Sequence, residues 1–185
     1  MFKTVIFAEK PSFSTRLLPV LREKFDNSTT LIVHALVSGP AKFRYSRGMS
    51  LAQYPLLSNP KYELNPDHNW HGQPLESTVP GEPAAIIPNS ESLKALRSAE
   101  TLIYAADQHP SSINAFWQTV RLTRESPAEE YPAYNIWNSS EEELRKTFSN
   151  PTSTRSFSLL AARCEVKRYF EQLLRASSDY SAEGV

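Results

Sequence analysis

Two acidic residues in this chain of 185 stand in matching surroundings. Glu9 ends the short apolar run Thr4-Val5-Ile6-Phe7-Ala8, and Asp107 ends a second run, Thr101 to Ala106. Carboxylates gathered from two such places suit a divalent cation, which takes oxygen ligands and polarises a phosphoryl group. His109 lies two residues beyond Asp107 and adds a nitrogen, which suits Mn²⁺ or a transition metal better than Mg²⁺. Glu9, Asp107 and His109 are therefore the candidate metal ligands, for a small metal-dependent nuclease or phosphotransferase. The competing reading is local: Asp107 caps the helix that follows it, and Glu9 pairs with Lys10 or Arg16.

The elements that must position these residues are strands running into helices. Each apolar run is short and bounded, as a buried strand is. After Glu9-Lys10-Pro11-Ser12 the spacing of Phe13, Leu17, Leu18, Val20 and Leu21 predicts a helix, which Pro19 should kink or shorten. After Asp107-Gln108-His109-Pro110 the spacing of Ile113, Phe116, Trp117 and Val120 predicts another, with Ser111 or Ser112 as its cap. Continuous apolar runs of this type belong to parallel strands buried on both sides. The expected fold class is α/β: a mostly parallel sheet with helices on both faces, plus a short C-terminal helical segment. Thr4–Ala8 and Thr101–Ala105 should then be neighbours with Glu9 and Asp107 at one end. Open α/β sheets bind ligands at that carboxyl edge.

Ala8-Glu9-Lys10-Pro11-Ser12 after the first strand, and a later strand entering an acidic loop, resemble the TOPRIM domain of bacterial type IA DNA topoisomerases (topoisomerase III-like). That family's second loop reads D-P-D-R-E-G-E, and its next helix often carries a tryptophan, as Trp117 would here. Asn135–Arg145 is similar to the family's L-W-x-S-S-x-T-x-E-x-I-R segment, and Leu159–Glu165 to its A-A-L-A-R-x-x-A-D-W helix. The resemblance implies a TOPRIM-like domain over residues 1–132. Residues 133–185 would be a helical appendage resembling the start of the next topoisomerase domain. It also implies a phosphate contact for Lys10.

The departures are chemical. Asp107 stands at the first acid of the loop, but His109 and Ser111 occupy the second and third, and Pro110 and Ser112 replace its arginine and glycine. Two lost charges weaken Mg²⁺ binding and remove the charge stabilisation that phosphoryl transfer uses. The chain also stops near where the family's tyrosine domain would begin. The expectation is a catalytically degenerate protein with vestigial Glu9, Asp107 and His109 and no required cofactor. It would act as a DNA- or protein-binding accessory in DNA processing.

Composition supports a modest role for nucleic acid. Twenty Lys and Arg balance twenty Asp and Glu, whereas dedicated binders are often strongly basic. One stretch stands out: Lys42, Arg44 and Arg47 alternate with Phe43 and Tyr45, the mixture a single-stranded DNA surface uses. An exposed strand with inward rings and solvated cations gives the same pattern.

A single cysteine, Cys164, excludes an internal disulfide and reads as a small buried hydrophobe. His68 and His71 lie three apart and without a third ligand in sequence, a weak zinc signal. The start lacks a signal-peptide core, and no apolar run approaches the ~20 residues of a membrane span. A cytoplasmic protein with no membrane partner is expected. Half of the fourteen prolines fall within residues 50–88, which predicts a loop-rich insertion. Near the end, Phe157–Ala176 has the spacing of an amphipathic helix, its apolar stripe including Leu159, Leu160, Val166, Tyr169 and Phe170.

Overall fold

A computed structural model of the chain describes residues 1–8, 11–35, 40–44, 61–79, 82, 85–136 and 140–182. Glu9, Lys10, Tyr45 and Arg47 lie outside the described residues. Lys42, Phe43 and Arg44 are described in backbone only.

The first strand, β1 (Thr4–Ala8), runs parallel to β2 (Thr30–Ala35) on one side and to β6 (Thr101–Ala106) on the other. Beyond β6 comes β7 (Pro132–Asn135), also parallel. Two antiparallel strands close the edges: β5 (Trp70–Pro74) beside β2, and β8 (Thr152–Ser153) beside β7. The result is a mixed, mostly parallel six-stranded sheet in the order β5-β2-β1-β6-β7-β8. Strands β3 (Ala41–Arg44) and β4 (Lys61–Leu64) form a separate antiparallel pair.

Alternate residues of each central strand enter two apolar cores, so both faces must be covered. On one face Ile6, Ala8, Ile32 and Ile103 pack with Leu17, Leu18 and Leu21 of α1 (Pro11–Lys24) and Leu144 and Phe148 of α4 (Glu141–Ser149). On the other, Val5, Phe7, Leu31, Val33 and Tyr104 pack under three helices. These are α2 (Asn89–Ser98), α3 (Pro110–Thr123) and α5 (Ser158–Ala182). Each fully buried Leu, Ile or Phe contributes about 1.5–3 kcal/mol through the area it removes from water. The α/β architecture with helices on both faces is as expected.

Several local details differ. Helix α1 runs as one element from Pro11 to Lys24 through Pro19. The proline-rich region holds β4 and β5, and Trp70 of β5 is fully buried. Asn89 does not cap α2; its Oδ1 accepts from the Trp70 N–H at 2.9 Å and so ties α2 to β5. Ile87 forms an isolated antiparallel bridge to Gly72 of β5. The expected boundary at Pro132 falls where β7 begins. Residues beyond it are not only helical, because Ala133 and Tyr134 alternate into the two cores and make β7 part of the same sheet. Among the described residues no helix is long and apolar enough to cross a membrane.

Candidate functional site

The order of the parallel strands creates a reversal point. From β1 the chain passes through α1 to β2 on one side, and from β6 it passes through α3 to β7 on the other. Helices α1 and α3 lie on opposite faces, so the carboxyl ends of β1 and β6 flank a topological switch point, the place where doubly wound sheets take ligands. Ala8 ends β1, with Glu9 next in sequence, and Asp107 directly follows β6.

The turn from β6 into α3 is closed by its own polar groups. Tyr104 is buried, and its hydroxyl donates to the Asp107 carbonyl oxygen. Asp107 Oδ1 accepts the His109 N–H at 3.1 Å, a side-chain turn that aspartate readily forms. The N-cap of α3 is His109 and not a serine. Its Nδ1 accepts the Ser111 N–H at 3.3 Å and lies 2.7 Å from Ser111 Oγ. Pro110 follows at the first helical position, where its missing N–H costs nothing. The His109 carbonyl accepts from Ser112 and Ile113, so the first turn of α3 offers little to an anion.

These bonds bear on a metal. Nδ1 of His109 is engaged by Ser111, so Nε2 is the nitrogen this turn leaves for a metal. One oxygen of Asp107 is engaged as well. Among the described residues no group of three His, Cys, Asp or Glu converges on a point that could hold a metal, and this covers His68 and His71 as well. The described donors do not fit Mg²⁺, which needs several oxygens in octahedral array.

A second histidine at this edge, not singled out by sequence, is His34 near the end of β2. Its register partners are Ala8 on β1 and His71 on β5. The ring is 1% exposed, and Nε2 lies 3.3 Å from Gln73 Oε1. Burial pushes its pKa from 6.5 down to about 4, more than the Gln73 hydrogen bond lifts it, and nearby His71 adds to the lowering. The signal available in sequence was alternation: His34 falls on the α1-facing side of a strand whose other residues are all apolar or Thr.

The basic-aromatic stretch contributes Lys42, Phe43 and Arg44 to β3. Cross-strand partners are Lys42 with Glu63, Phe43 with Tyr62 and Arg44 with Lys61. Strand alternation therefore puts Lys42 and Arg44 at positions on one face and Phe43 on the other, the face shared with half-buried Leu64. The hairpin lies against α3, the helix that follows Asp107.

No family model, curated protein or solved structure matches the chain significantly. The site must be read from its own residues.

Proposed function

We propose that the chain is a catalytically degenerate, TOPRIM-like binding module, an accessory that holds a single DNA strand at the β1/β6 edge. The observation that carries the reading is the reversal of strand order between β1 and β6, the two strands that lead into Glu9 and Asp107. Doubly wound sheets take ligands at such a reversal, which supports a site at this edge. The chemistry within it favours binding, because His109 and Ser111 stand where two acids would be and are hydrogen-bonded to each other. Lys10 and the β3 cations Lys42 and Arg44, with neighbouring Arg47, supply the phosphate contacts, and Phe43 and Tyr45 supply stacking surfaces. The balanced net charge keeps affinity low.

A labelled single-stranded oligonucleotide, titrated by anisotropy at two salt concentrations, tests this. Each phosphate neutralised lowers log affinity by about 0.7 per log unit of salt. Arg44→Ala/Arg47→Ala should weaken binding and flatten that slope. No binding at low salt, or binding indifferent to both salt and the substitutions, would refute it. Mg²⁺ or Mn²⁺ should leave the melting temperature unchanged, and metal-dependent DNA cleavage would favour the nuclease reading.

A further inference from the structure

The described residues of helix α5 show two apolar faces, of which one packs into the core. Leu160 and Ala161 pack into the core beneath α3, next to Phe157. Glu165 locks this contact, both its oxygens lying 2.9 Å from Arg121 Nη1 on α3. Leu159, Val166 and Phe170 are 64%, 54% and 54% exposed. At 3.6 residues per turn these three fall within about 40° of one another, on the side opposite Ala161. They form a line about 16 Å long at 1.5 Å per residue. Tyr169 extends it, its ring in edge contact with Phe170 at 5.8 Å.

Charge selects what fits there. Arg163 sits on the margin of the line, exposed, and no carboxylate of the described residues pairs with it. Lys167 lies on the same margin with only a 3.8 Å contact to Glu171. A second copy packed antiparallel across Val166 would set the two Lys167 side chains about 3 Å apart along the axis, like charge on like. An acidic counterpart removes that conflict.

We propose that the outer face of α5 docks an amphipathic helix of a partner protein that carries carboxylates beside its apolar seam. Arg163 and Lys167 fix orientation, and Val166 and Phe170 supply the buried contact. A three-turn contact is far below the ~1,200 Å² of a stable complex, so the association is transient. This surface is separate from the β1/β6 edge, and the proposal stands whether or not DNA binds there.

The test uses two fluorescein-labelled helical peptides with the same leucine seam, one flanked by Glu and one by Lys, titrated with the full chain. The Glu-flanked peptide should bind about threefold to tenfold tighter, a preference that salt diminishes. Val166→Asp should abolish binding of both peptides. Arg163→Glu should invert the preference, and as an exposed change it keeps the test valid if V166D disturbs the fold. Equal affinity for both peptides, or no binding of the Glu-flanked one, would overturn the proposal. So would a concentration-dependent dimer in equilibrium sedimentation that V166D dissolves, which would assign the face to a second copy.

Discussion

Replacing His34 by Gln should change how stability depends on pH, because the folded chain holds that ring neutral. In the unfolded chain the imidazole titrates at 6.5, and in the fold at about 4. Above pH 6.5 neither state takes the proton and His34 costs nothing. As pH falls from 6.5 towards 4 only the unfolded state is protonated, so stability drops by up to ~1.4 kcal/mol per pH unit. Below 4 both states are charged and the loss stops growing. A gap of about 2.5 units makes the full loss roughly 3 kcal/mol, and the group's burial leaves little room for solvent screening. Against a total of about 5–15 kcal/mol this is a large share. Urea titrations at half-unit intervals from pH 7.5 to 4.5 would measure it. His34→Gln keeps a side chain able to bond Gln73 but cannot titrate. Its stability should therefore fall less steeply than the wild type's between pH 6.5 and 4.5, even if it is lower at pH 7.5. Parallel profiles for the two proteins would refute the argument.

Three further changes probe the frame around the site. Tyr104→Phe removes the hydroxyl that holds the Asp107 carbonyl, which should cost about 1 kcal/mol and speed amide exchange at His109. Ser140→Ala breaks the capping box in which Ser140 and Glu143 bond each other's backbone, for a loss of about 1 kcal/mol by urea denaturation. Gly72→Ala would put a methyl group against Ser92 Oγ and 2.8 Å from Ile87 Cγ1, so a lower melting temperature and a loss of about 1–3 kcal/mol are expected.

What sequence could reveal was set by range. The strands Thr4–Ala8 and Thr101–Ala106 were legible because burial on both faces writes a continuous apolar run. Their adjacency and shared direction followed from the repeated strand-acid-helix pattern. Strand β5 was not legible, since Trp-His-Gly-Gln-Pro has neither alternation nor β-branched residues, and it is held by pairing with β2 and by Asn89. The α3 cap went to His109 because Pro110 fixes the first helical position, and the residue before it becomes the cap. The stripe of α5 looked like one buried face in spacing alone. Packing on α3 uses Leu160 and Ala161 and leaves Leu159, Val166 and Phe170 outside. Of the candidate site, Asp107 and His109 share one turn and Glu9 lies outside the described residues, while His34 and Tyr104 depend on tertiary neighbours that sequence does not display.

The β6–α3 turn also constrains what the edge can bind. A metal ligated through His109 Nε2 would move the ring proton to Nδ1, where the Ser111 N–H already donates. The bond from the Ser111 N–H would then be lost, while Nδ1 would donate to Ser111 Oγ, 2.7 Å away. A lost N-cap bond costs up to about 1 kcal/mol, at most a roughly fivefold penalty in affinity, which the bond to Ser111 Oγ offsets in part. Recruiting Asp107 Oδ1 adds the loss of its turn bond to His109. A ligand that meets the turn as it stands, through exposed Gln108 and the outer oxygen of Asp107, carries neither cost. Such a ligand needs hydrogen-bond donors towards the carboxylate and acceptors towards the amide, which nucleobase edges offer and a bare cation does not.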